Sequence, residues 1–191
     1  MWKLWLGVLL FAGPHLFSTL MPAARNSLKA RLGEVPFRVV YALASVAGVV
    51  LLALAYLDGR AGPNSLDSFY DPPAAGRHIN MLLSLIGFIL VAASHGKGHI
   101  RSFVKHPMSL GMGLWSLGHL LANGEKAVVV IFGMLLVVCV MDIIFSTARG
   151  KVPSHEPRIR SDIVAVIAGV VVYAVLAFGF HPYILNVPVA G

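Results

Sequence analysis

Long apolar runs separated by short, polar and often basic connections make up most of the chain. Six stretches stand out, at about residues 4–20, 37–57, 78–94, 107–122, 127–145 and 163–185. None carries the period-2 alternation of a membrane barrel. Their lengths approach the roughly 20 residues that a spanning helix needs, the first, third and fourth being at the short end. Backbone groups in lipid must find partners within their own segment, so each run is expected to be a helix. The pattern predicts an all-α, polytopic transmembrane helix bundle with about six spanning helices, as one domain over residues 1–191. The first run lacks a strongly charged leader, and no small-residue cleavage site precedes Arg25, so it reads as a retained helix rather than a signal peptide.

Composition agrees with the pattern. Hydrophobic residues make up 58% of the chain and charged residues 12%, about half the charged share of a soluble domain. Disorder is excluded by the same numbers. The net charge of +7 would suggest nucleic acid in a soluble protein, but here it sorts by connection. Arg25, Lys29, Arg31 and Arg38 lie in or beside the first, Lys97, Arg101 and Lys105 in the third, and Arg149, Lys151, Arg158 and Arg160 in the fifth. Only Lys3, Arg60, Arg77 and Lys126 lie on the opposite side. The positive-inside rule then places the odd-numbered connections in the cytoplasm and both termini on the non-cytoplasmic side. The expected partner is the lipid bilayer, with no nucleic acid. In the longest outer connection, Gly62, Pro63 and Asn64, and Asp71, Pro72 and Pro73, mark turns. The single cysteine, Cys139, excludes a disulfide framework and reads as a small core residue.

Ionisable residues within spans are costly and mark candidate sites. Three qualify: His15, His119 and Asp142. In the fourth run Ser109, Met112, Ser116, His119 and Asn123 recur at 3-4-3-4 spacing, which places them on one helical face. Gly111, Gly118 and Ala122 run beside them, with Trp115 between. That face fits either a packing seam with one hydrogen-bonded histidine or a ligand site. His15 follows Pro14, which removes a backbone donor and kinks a helix. It either satisfies a carbonyl freed by the kink or serves as a ligand. Two intramembrane histidines without nearby carboxylate or cysteine favour a group needing only two protein ligands, such as haem, over zinc. Asp142 is expected in an end-of-helix ion pair with Arg149 or the third-connection basic residues. His95 and His99 are expected to be solvated, and His78, His155 and His181 carry little signal. Pro107 suits a first helical turn, and His106 before it fits a cap, a headgroup contact or a propionate contact.

These motifs carry a resemblance. KHPMSLGMGLWSLGHLLANG (105–124), GPHLFS (13–18), ARLGEVPFRVVYALASVAG (30–48) and PPAAGRH (72–78) together resemble the NnrU family of bacterial membrane proteins. The resemblance implies a multi-pass protein of the bacterial inner (cytoplasmic) membrane associated with denitrification, supporting nitrite and nitric oxide metabolism. The same family includes the zeta-carotene isomerase, which carries haem b and isomerises a double bond in a polyene. That relation implies haem b as cofactor and His15 and His119 as axial iron ligands, with Ser116, Trp115 and Asn123 lining the site, and as the alternative function a cis-trans isomerase of a lipid-soluble substrate. The relative's alternative cysteine ligand falls on Ser116, a poor haem ligand, so its redox switch is not carried over. The His-Pro element of His106 and Pro107 is also similar to that of membrane methyltransferases. Their paired glutamates are missing, only Glu156 standing in that region, which argues against methyl transfer.

The helical rise puts a condition on the ligand pair. From the cytoplasmic ends of their runs, His15 lies roughly 7–8 Å deep and His119 roughly 18 Å deep. The mismatch of roughly 10 Å leaves His106 or His95 as a rival partner for His15.

Overall fold

A computed structural model describes residues 1–61 and 67–187. The described residues form eight helices: α1 (Trp2–Leu20), α2 (Pro22–Leu32), α3 (Glu34–Ala61), α4 (Gly76–Ala93), α5 (His99–Val104), α6 (Pro107–Ala122), α7 (Lys126–Ala148) and α8 (Ile159–Ala174). A π-helical turn, Val175–Phe180, continues α8 into a last short turn, His181–Ile184. No strand occurs among the described residues; one isolated bridge joins Ser68 to Glu125.

Every one of the six apolar stretches is helical to within about a residue. Five helices are long and apolar enough to cross a membrane: Trp2–Leu20, Glu34–Gly59, Gly76–Ala93, Lys126–Ala148 and Ile159–Ile184. The expected sixth span, α6, is not among these five. α6 has the expected bounds but only 16 residues, about 24 Å of helix against a hydrocarbon core of about 30 Å. Pro107 starts it and an extended Asn123 ends it. The connections also hold structure that the apolar pattern did not foretell. α2 carries Arg25, Lys29 and Arg31 and stops at Gly33, whose φ of 88° favours glycine. α5 spans only six residues. The turn expected at Gly62, Pro63 and Asn64 lies outside the described residues.

The long helices pack in a neighbour order of α3, α1, α7, α6, α4 and α8. The two end members carry the broad aliphatic faces that lipid would cover. Val39, Leu43, Val46 and Val50 are exposed on α3, and Ile163, Ile167, Val170 and Val171 on α8. Small residues set the closest crossings. A Cβ on Gly111 of α6 would stand 2.4 Å from the carbonyl oxygen of Gly87 on α4. A Cβ on Gly48 of α3 would stand 2.7 Å from Phe11 N on α1, and one on Gly169 of α8 would stand 2.5 Å from Ile89 Cα on α4. The neighbour that the sequence asked for beside Gly111 and Gly118 is therefore α4.

Three contacts gather the basic connections at one end. Arg149 donates to Thr19 O (2.7 Å), Thr147 Oγ1 meets His106 Nε2 (3.0 Å), and Arg158 N donates to Lys97 O (2.8 Å). At the other end Lys3 pairs with Asp58 (2.7 Å) and Lys126 with Asp67 (2.8 Å). Glu34 pairs with Lys29 and Arg38, closing α2 onto the start of α3.

The backbone crossing at Gly111 has a direct consequence. Gly111→Val should lower the thermal unfolding midpoint in detergent, by the roughly 1–3 kcal/mol of an overpacked core or more. Gly133→Ala, where an added Cβ meets nothing within 4 Å, should leave the midpoint unchanged or raise it slightly.

Candidate functional site

α6 turns its polar face inward, as its 3-4-3-4 spacing requires. Ser116 is completely buried and donates to Met112 O (2.8 Å). His119 is 8% exposed. Its Nδ1 lies 2.9 Å from Trp115 O, one turn back. A carbonyl only accepts, so Nδ1 carries a proton, and in the neutral ring the lone pair then lies on Nε2. The ring stacks on Phe132 of α7 at 4.1 Å and 13° and meets Trp115 edge-on at 5.1 Å. Trp115 also meets Phe132 (5.0 Å) and Phe88 of α4 (5.9 Å). Gly118 lets α4 come close enough that a Cβ there would stand 2.5 Å from Asn80 Oδ1. One further ring reaches His119: that of His181, at 6.1 Å between centres.

Asn123 acts in this structure as the end of α6. Its N–H donates to His119 O (2.9 Å), and its own carbonyl accepts from the Tyr70 hydroxyl (2.9 Å). The same hydroxyl donates to Leu120 O. Phe69 N donates to Gly124 O (2.8 Å) and Lys126 N to Asp67 O (3.1 Å). Residues 67–70 are thus strapped across the end of α6 nearest His119.

His15 sits elsewhere. Its Nδ1 lies 2.7 Å from Phe11 O and donates to it, so Nε2 is again the second ring nitrogen. That carbonyl is not the one freed by Pro14, whose missing N–H would have bonded to Leu10. The ring stacks on Phe11 (4.4 Å) and tilts against Tyr41 of α3 (5.2 Å). Pro14 and Tyr41 help line an apolar cavity of about 260 Å³ between α1, α2 and α3.

Asp142 shows why the two histidines are apart. Its carboxylate accepts from Ser109 of α6 (2.5 Å), from Ser146 on its own helix (3.2 Å) and from Thr19 of α1 (3.5 Å). It forms no ion pair among the described residues, contrary to expectation, because three hydroxyls reach it first and Arg149 turns to Thr19 O. The junction puts Thr19, Asp142 and Ser109 at one level. His15 is one turn above Thr19, about 6 Å, whereas His119 is ten residues from Ser109, about 15 Å. Phe132, ten residues from Asp142, reaches the same level as His119 and confirms the count. The depth mismatch read from the sequence is present, and α7 stands between the two histidines. No ring contact joins them among the described residues.

The remaining histidines fall out as follows. His106 meets Thr147. His95 is exposed. His99 is exposed, as expected, and also holds Asp162: its Nδ1 (2.8 Å) and backbone N–H (2.9 Å) both reach Oδ2, and Ile100 N reaches Oδ1 (3.0 Å). His155 meets Ser102 (3.1 Å). Cys139 is buried, as expected. Among the described residues no three of His, Cys, Asp and Glu converge as a metal-binding group. Were a group needing single imidazole ligands bound here, Nε2 of His15 or of His119 would be the atom to hold it, since Nδ1 of each is taken by a backbone carbonyl. Sequence reasoning missed His181, whose position depends on the π-helical turn before it.

A family model described as NnrU protein matches residues 3–189. No curated protein and no solved structure matches the chain.

Substitutions at two positions test this geometry. Asp142→Ala leaves three hydroxyls to find other partners and should cost about 1–3 kcal/mol of stability, with Asp142→Asn costing less because one acceptor remains; chemical unfolding in detergent measures both. Tyr70→Phe should raise amide exchange across residues 67–75 while sparing α7.

Proposed function

The chain belongs to the NnrU family, and on that premise we propose that it is an integral membrane protein that binds haem b and supports nitrite and nitric oxide metabolism. The observation that carries this reading is His119: a buried imidazole whose Nδ1 is fixed by Trp115 O and whose Nε2 is left as a ligand atom. Haem, when bound, supplies one-electron chemistry and an iron that takes small ligands. The chain's own part is to fix the imidazole. Trp115 O sets its tautomer, Phe132 holds its plane, and the strap at Tyr70 covers the end of α6. Ser116, one turn below and turned to Met112 O, fills the seam without offering a ligand. His15 has the same Nδ1–carbonyl arrangement and is a ligand candidate of its own. Joining it to His119 through one iron requires α1 or α6 to shift past α7.

The end that gathers the basic connections suits the cytoplasm under the positive-inside rule. Both termini then lie on the far side of a bacterial inner membrane.

A second reading, a haem-dependent cis-trans isomerase of a lipid-soluble polyene, is favoured by the apolar cavity beside Pro14 and Tyr41. It accepts part of a long hydrocarbon from the lipid side. Co-expression with a pathway that makes cis-carotenoids should then shift the isomer ratio seen by chromatography, and an unchanged ratio removes this reading.

For the haem reading, protein purified from haem-replete cells should show a Soret band and a haem b pyridine haemochrome. His119→Ala should lower haem affinity by more than the roughly 10–100-fold typical of a supporting residue. Wild-type protein without a Soret band refutes the proposal.

A further inference from the structure

The π-helical turn Val175–Phe180 interrupts an otherwise regular last helix. Such turns are rare and occur often at functional sites. A π turn adds one residue's worth of phase, about 100° at 3.6 residues per turn. Whatever follows it is rotated by that amount about the helix axis. The residue that follows is His181.

His181 copies the arrangement of His119. Its Nδ1 lies 2.7 Å from Leu176 O, five residues back, the carbonyl that the π turn presents. Nδ1 therefore donates, and Nε2 is the ring atom that would be left to bind a metal. Among the described residues neither His119 nor His181 has a hydrogen bond at Nε2. The two rings are 6.1 Å apart between centres and inclined at 33°. Two imidazoles on opposite sides of one metal, each at a metal–nitrogen distance of about 2 Å, have their centres roughly 6 Å apart. His119–His181 is also the one ring contact that ties the terminal turn to α6 among the described residues; the turn otherwise packs on its own helix.

We infer that His119 and His181 form a two-imidazole metal site, and that His181 rather than His15 is the second axial ligand of the haem proposed above. The inference rests on that haem reading for the identity of the metal. It rests on this geometry alone for the choice of partner: the rotated helix end, the matched tautomers and the spacing.

The test uses full-length protein loaded with haem, with optical and electron paramagnetic resonance spectra as readouts. Wild type and His15→Ala should both be six-coordinate and low-spin. His181→Ala should keep haem but become five-coordinate and high-spin, and added imidazole should restore the low-spin spectrum. His181→Gln, which keeps a polar side chain of similar reach, should lose the low-spin signature with an unchanged thermal midpoint, and covers the case in which the alanine variant does not fold. A low-spin spectrum that persists in both His181 variants overturns the inference while leaving the haem reading standing, as does a wild type that is already high-spin. A wild type that takes up no haem overturns both, and the missing Soret band identifies that outcome.

Discussion

The contact between the backbones of α4 and α6 at Gly87 and Gly111 governs the arrangement of the rest. α6, at 16 residues, is shorter than the hydrocarbon core of a bilayer is thick. Its depth is set by the helices that hold it. With no side chain between them, the two glycines bring the helices to backbone contact, and Gly118 against Asn80 continues that contact toward the far end. Once α6 is fixed against α4, its opposite face must meet α7. Ser109 then reaches Asp142, and His119 reaches Phe132. The same small-residue logic attaches α1 to α3 and α8 to α4, so backbone proximity rather than side-chain bulk sets the spacing of the row.

Within that row, the polar groups that find partners find them over short distances. His15, His119 and His181 each spend Nδ1 on a carbonyl of their own helix, and Ser116 does the same with its hydroxyl. Asp142 draws hydroxyls from three helices instead of pairing with a cation. A carboxylate held by hydroxyls keeps α1, α6 and α7 in vertical register, while the basic side chains near it remain available to backbone carbonyls and to the membrane surface. The histidines differ from the other polar groups in having a second ring nitrogen left over, and that surplus is what marks them chemically.

The helices were legible because the apolar runs are long and uninterrupted, and the inward face of α6 because 3-4-3-4 spacing admits one geometry. The close approach at Gly111 was legible from residue size. Other features were not. α2 and α5 are too short, and in α2 too basic, to leave an apolar run. The partners of Asp142 could not be read, since Thr19, Ser109 and Ser146 are far apart in sequence or unremarkable in it. His99 looked like part of a polar loop because its partner, Asp162, sits 63 residues away. His181 is the most instructive case. It follows Phe180 near the end of an apolar run, and its facing depends on one π turn, just before Pro182, that the apolar pattern does not announce. The depth mismatch between His15 and His119, by contrast, needed only the rise per residue, and it survives in the structure.

The strap formed by Tyr70 has a bearing on traffic. A solute arriving from the aqueous side nearest His119 meets a phenol bonded to the very carbonyls it shields, and must displace it. A molecule already dissolved among the acyl chains would not have to cross that strap. Selection at this centre would then follow the oil–water partition coefficient more than charge or shape. Small uncharged species would be enriched there before any specific contact is made, and hydrated ions would be left outside.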